Sequence, residues 1–164
     1  MHEFRGIMQT TEQTSHASKL EVLKQERIKK LGAGQTVFFT SLGCSKNLVD
    51  SQVMLGHLGL GGFEMTDEPA EATVIIVNTC SFIDAAKQES IDTILDLSDH
   101  KNPEKGKCEA LVVAGCMAQR YAFELEKELP EADLIIGTGE YNKVVPLLVA
   151  LREGKLEKKS HVEI

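Results

Sequence analysis

Four runs of continuously apolar, largely β-branched residues recur after Gly34: residues 36–40, 73–77, 110–114 and 134–136. None of them alternates apolar with polar positions. That texture suits strands buried on both faces of a parallel sheet rather than the one-sided strands of an antiparallel one. A shorter candidate strand, residues 63–66, lies between the first two. Between the runs, spacing turns helical. Leu48, Gln52 and Leu55 share one predicted face after the first run, and Ile83, Ile91, Ile94 and Leu95 after the second. Met117, Tyr121, Leu125 and Leu129 step by four after the third, closed by Pro130; Val144, Leu147, Leu148 and Leu151 form a last helix. Pro146 near its start either shifts that start or costs a backbone bond.

Strands alternating with helices predict an α/β fold: a doubly wound, mostly parallel five-stranded sheet with helices on both faces, flavodoxin-like in size, over residues 36–152. Before it, residues 1–35 read as a leader. The first 17 are polar and aperiodic, hence expected to be disordered. Leu20, Leu23, Ile28 and Leu31 then predict a short solvated helix, ended by Gly32-Ala33-Gly34. Residues 153–164 read as a linker stub.

Composition narrows the function classes. The 164 residues are 42% hydrophobic and 26% charged, with mean hydropathy −0.13, a globular balance. No apolar run approaches the roughly 20 residues of a membrane-spanning helix. Met1-His2-Glu3-Phe4-Arg5 leads into polar residues, so neither a secretory signal nor a membrane partner is expected. The expected location is the cytoplasm, whose reducing conditions make four cysteines thiols or metal ligands rather than disulfides. The net charge of −7 is uneven: residues 36–151 hold eight basic against eighteen acidic side chains. Such a surface repels a phosphate backbone, and two Tyr with no Trp offer few stacking platforms, so no direct nucleic-acid binding is expected.

The chemistry lies in the cysteines. Cys44, Cys80 and Cys116 are 36 residues apart, and each falls where a strand ends and a helix begins. In a parallel sheet those ends share one edge, the edge where open α/β sheets bind ligands. Helix N-termini favour thiolates, so all three pKa values should fall. Small neighbours (Gly43, Ser45, Thr79, Ser81, Gly115) leave room for something bulky. A single buried cysteine is usually just a small hydrophobe; three at equivalent ends point to a soft metal or an iron–sulfur cluster. Zinc usually draws on close pairs such as C-x₂-C, absent here. Cys108 precedes the third run, at the opposite end of its strand, and reads as incidental. Lys46 and Asn47 either face the bound group or cap a helix. Arg120, His57 and His100 read as surface residues, and Gly137-Thr138-Gly139 is a weak phosphate-loop signal.

Three blocks carry a resemblance: Ser41-Leu42-Gly43-Cys44-Ser45-Lys46-Asn47-Leu48-Val49-Asp50-Ser51, Val77-Asn78-Thr79-Cys80-Ser81-Phe82-Ile83, and Gly115-Cys116-Met117-Ala118-Gln119-Arg120-Tyr121. Together they resemble the N-terminal domain of the RimO-type methylthiotransferases, within the radical S-adenosylmethionine family. The opening block looks like the ribosomal-protein branch rather than the tRNA-modifying, MiaB-type branch, where Gln-Met-Asn typically follows the cysteine. The resemblance implies that Cys44, Cys80 and Cys116 bind an auxiliary [4Fe–4S] cluster with one open iron. It implies a reaction that adds a methylthio group to the β-carbon of an aspartate in a small-subunit ribosomal protein. It also implies two further domains, a radical S-adenosylmethionine domain with a second [4Fe–4S] cluster on C-x₃-C-x₂-C, and a TRAM domain.

This chain has no C-x₃-C-x₂-C, and Ser45 and Gln52 stand where the family commonly has proline and glutamate. The expectation is therefore a cluster-binding half, truncated and inactive alone, with the radical and TRAM domains absent. Two other classes stay open at this point: a flavodoxin-like binding module with packed, structural cysteines, and a free-standing regulator.

Overall fold

A computed structural model describes residues 17–27 and 30–163. The first 16 residues of the leader, residues 28 and 29, and residue 164 lie outside the described residues. Residues 17–27 form an exposed helix, α1, that holds Leu20 and Leu23; Ile28 lies outside the described residues, and Leu31 sits in a turn, half-buried against the core.

From Gln35 the chain alternates: β1 (Thr36–Ser41), α2 (Ser45–Leu60), β2 (Glu64–Met65), β3 (Val74–Thr79), α3 (Asp84–Ser98), β4 (Ala110–Gly115), α4 (Cys116–Glu128), β5 (Leu134–Ile136), α5 (Val144–Arg152) and β6 (Ser160–His161). All pairings are parallel, and the sheet order is β2-β1-β3-β4-β5-β6. The first five follow the flavodoxin-like order, with the change of direction between β1 and β3.

The sheet has six strands, one more than expected. The extra strand, β6, lies within the segment read as a linker. It is two residues long and polar, and it joins by backbone bonds: Ile135 N–H to Lys159 O and Gly137 N–H to His161 O, both 2.9 Å. No hydrophobic signal marks it.

The continuous apolar runs behave as their texture dictates. Every residue of β3, β4 and β5 is buried. One side of the sheet packs Val37, Ile76 and Val112 against Met54 and Leu58 of α2 and Val144 and Leu148 of α5. The other packs Ile75, Val77, Leu111 and Val113 against Ile94 of α3 and Met117 and Leu125 of α4. Pro146 is the third residue of α5, within the first turn, where its missing N–H leaves no helical bond unmade.

One predicted face is wrong. In α2 the inward positions are Asn47, Ser51, Met54 and Leu58, while Leu48 is 58% exposed and Gln52 is exposed. Two polar residues lead the buried stripe because their hydrogen bonds are made inside. Ile83 likewise precedes α3 and is exposed instead of joining its buried face.

Candidate functional site

Three loops converge at the carboxyl edge of the sheet, beyond β1, β3 and β4. After β1, the Leu42 N–H still bonds Asn78 O at 2.9 Å. The chain then turns at Gly43 (φ +96°) and enters α2 through Cys44, which occupies the N-cap. β3 runs directly into Cys80, while β4 ends at Gly115 (φ +98°), the N-cap of α4, whose first residue is Cys116. Both glycines hold a left-handed conformation that other residues adopt only with strain. At Gly43 sterics add to conformation: a Cβ there would lie 2.5 Å from Cys80 Cβ and 2.7 Å from its Sγ. The Cys44 and Cys80 loops approach this closely because residue 43 has no side chain.

All three cysteines line one cavity of about 820 Å³. Lys46 and Arg120 supply its cations, and Phe82, Ile83 and Ala86 its apolar wall. Cys44 is exposed, Cys116 half-buried and Cys80 buried. Cys108, also buried, is not part of this wall; it precedes β4 and donates its S–H to Ala110 O at 3.3 Å. Neither His57 nor His100 lines the cavity. Thr138 does, but its N–H is already donated to Gln119 Oε1 at 2.9 Å, so this loop is not an open phosphate cradle.

Polar side chains fix the loops, Thr79 and Ser90 buried and Gln119 half-buried. Ser90, in the middle of α3, receives the Cys80 N–H and donates to Cys80 O, both at 3.2 Å. Thr79 Oγ1 donates to Ala114 O at 2.6 Å. Gln119 joins the Thr138 loop to the end of the chain, donating from Nε2 to Glu163 O at 2.7 Å. Sequence patterns did not single out Ser90 or Gln119. The available signal was a polar residue on an otherwise inward helical face.

Electrostatics separates the sulfurs. The Asn47 N–H, then the Lys46 N–H, hold the Cys44 thiol below its ordinary pKa, and the Lys46 ammonium adds to the effect. Cys116 departs from expectation: burial pushes its thiol up, Lys46 opposes this, and Cys80 and Cys44 reinforce it. A helix N-terminus favours a thiolate only where desolvation does not outweigh it.

Among the described residues, no set of three or more His, Cys, Asp or Glu could hold a single metal ion. A multi-iron cluster asks for something else: thiolates that each meet a different iron around a bulky inorganic core. Three cysteines on separate loops, around a cavity that also holds Lys46 and Arg120, fit that donor chemistry. No helix among the described residues is long and apolar enough to cross a membrane.

Residues 36–137 match the family described as uncharacterized protein family UPF0004. The chain is also similar to several proteins named ribosomal protein uS12 methylthiotransferase RimO. That of Trichlorobacter lovleyi is 55% identical over 127 residues, 77% of this chain and 28% of the relative. That of Pelobacter propionicus is 57% identical over 114 residues, 70% and 25% respectively. That of Geobacter sulfurreducens is 54% identical over 116 residues, 71% and 26%. The chain thus spans about a quarter of the length of the curated relatives it matches.

Proposed function

We propose, from the premise that this chain belongs to the UPF0004 family and is a methylthiotransferase N-terminal domain of the RimO type, that residues 36–152 bind an auxiliary [4Fe–4S] cluster through Cys44, Cys80 and Cys116. The observation that carries this reading is the meeting of all three sulfurs at one cavity, from three strand ends. The whole-protein reaction we assign is transfer of a methylthio group to the β-carbon of an aspartate in a small-subunit ribosomal protein. The relatives' shared name for uS12 supports that branch over tRNA modification.

When bound, a cluster with three cysteine ligands supplies one iron with an open position for a sulfur ligand. The chain's residues do the rest. The Asn47 and Lys46 N–H groups favour the thiolate form of Cys44, the form that ligates. Lys46, held at 3.2 Å by Asp50, sets a cation beside the sulfurs. Phe82 and Ile83 form an apolar lip to the cavity. These 164 residues hold no C-x₃-C-x₂-C; the radical-forming cluster, S-adenosylmethionine and a TRAM domain then belong to other parts of the enzyme, and activity to the assembled enzyme.

The test is anaerobic reconstitution with iron and sulfide. The wild-type chain should turn brown and take up roughly four iron and four sulfide. Changing Cys44, Cys80 or Cys116 singly to Ala should cut iron content, and Cys108→Ala should leave it unchanged. Wild-type iron content in the first three variants sinks the reading. Structured yellow flavin absorption in protein as purified would point instead to a flavin-binding module.

A further inference from the structure

The three cysteine loops leave the sheet beyond its last regular ladder bonds, so the sheet alone does not set the spacing of their sulfurs. One side chain touches all three. Asn47, on the first turn of α2, is fully buried. Its Nδ2 donates to Leu42 O at 2.7 Å, in the loop before Cys44, and to Thr79 O at 2.8 Å, the residue before Cys80. Its Oδ1 lies 3.6 Å from Cys116 Sγ, which donates to it. Its backbone carbonyl is held in turn by Ser51 Oγ at 2.7 Å and Asn78 Nδ2 at 3.0 Å.

We propose that Asn47 is the positioning residue of the cysteine site, its single amide setting the spacing of the three sulfur-bearing loops. This inference rests on the cluster reading above.

The chemistry explains why the residue is asparagine. In the metal-free protein a planar carboxamide offers two donors and one acceptor in fixed mutual directions, which is what two carbonyls and one thiol require; a ligating Cys116 has no S–H to donate, and the two carbonyl bonds then hold the loops. Asp has the same shape but no donor. It would set a carboxylate against the Leu42 and Thr79 carbonyl oxygens and beside Cys116. Ser and Ala are too short to reach both carbonyls, and Gln adds a methylene to a fully buried site. Two of the three side-chain bonds end on backbone carbonyls, so they persist whatever the sulfurs bind. This also accounts for the polar lead of the buried stripe in α2: Ser51 and Asn78 brace the same residue from behind.

The experiment compares Asn47→Asp with Val37→Ala, each made in the 164-residue chain and reconstituted with iron and sulfide. Val37→Ala removes buried core contacts near the start of β1, away from the cysteine cavity. It serves as the control for lost stability. The readouts are iron per chain, the EPR spectrum of the reduced cluster, the rate of iron loss to a chelator, and the thermal midpoint of the metal-free protein. Asn47→Asp should lose iron to chelator roughly 10–100-fold faster than wild type, with an altered EPR spectrum. Val37→Ala should lower the midpoint but keep wild-type spectrum and retention. Wild-type retention in Asn47→Asp, or iron loss in both variants in proportion to their lost stability, overturns the inference while leaving the cluster reading intact.

Should Asn47→Asp not fold, the wild-type chain decides. The Asn47 side-chain amide signals should exchange slowly with solvent in metal-free protein and shift on loading. Exchange as fast as that of an exposed asparagine, or no shift, overturns it. Iron uptake indifferent to Cys→Ala changes is the separate result that removes the cluster reading itself.

Discussion

Gly43 and Gly34 both sit at positive φ, +96° and +77°, but in different surroundings. A Cβ at Gly34 meets nothing within 4 Å, whereas one at Gly43 collides with Cys80. Gly34→Ala should therefore cost only the left-handed conformation, about 1–2 kcal/mol. Gly43→Ala should cost that plus a displacement of the Cys80 loop, and should lower iron retention as well. Urea denaturation with iron assay separates the two, and equal effects would remove Gly43 from the account. Cys108 gives a second prediction at this scale. Burial, reinforced by Asp133 and opposed by Lys101, pushes its thiol up to about 11 from an ordinary 9.0. A neutral thiol is thus favoured in the fold, so its contribution is complete below pH 9 and is lost as pH rises toward 11. The loss is up to about 1.4 kcal/mol per pH unit. Denaturation at pH 8 and pH 10 should show Cys108→Ala losing less stability than wild type across that interval. An identical pH dependence in both proteins would refute the assignment.

Among the elements, β6 is one of the two shortest strands. Two polar residues pair with β5 through backbone bonds, and Gln119 clasps the following Glu163 carbonyl while receiving the Thr138 N–H. Gln119→Ala should release this edge. Hydrogen exchange at the Ile135 and Gly137 amides, which donate to Lys159 O and His161 O, should accelerate roughly 5–10-fold, the loss of about 1 kcal/mol, with β3 amides unchanged. Acceleration across the whole sheet would mean global destabilisation instead. This element also marks where sequence reading stops. Strands β3, β4 and β5 were legible because burial on both faces forces continuous apolar runs. β6 was not, because backbone pairing asks nothing of side chains. The inward face of α2 was misread for a related reason. Hydrophobic spacing selects Leu48 and Leu55, but Asn47 and Ser51 are buried by hydrogen bonds that only the three-dimensional neighbours Leu42, Thr79 and Asn78 reveal.

Across the whole molecule, the candidate site joins parts of the chain that the sheet holds separately. The regular 36-residue spacing made the cysteines legible, since equal βα units put equivalent residues at one edge. Their inequality was not legible, because the raised pKa of Cys116 depends on burial that spacing does not encode. That architecture carries a consequence for stability. A ligand bound to Cys44, Cys80 and Cys116 ties together the ends of β1, β3 and β4 and the starts of α2 and α4, in the folded state alone. Mass action then stabilises the loaded fold by about 3–4 kcal/mol at ligand concentrations 100–1,000 times the dissociation constant, less whatever iron the unfolded thiols retain. Anaerobic thermal unfolding should show a higher midpoint for reconstituted protein, returning to the metal-free value after chelation. Hydrogen exchange should slow on loading in the Cys44, Cys80 and Cys116 loops. It should not change around Cys108, at the opposite end of the sheet. Protection spread evenly over both edges, or a midpoint indifferent to iron, is incompatible with a ligand held at the carboxyl edge by these three sulfurs.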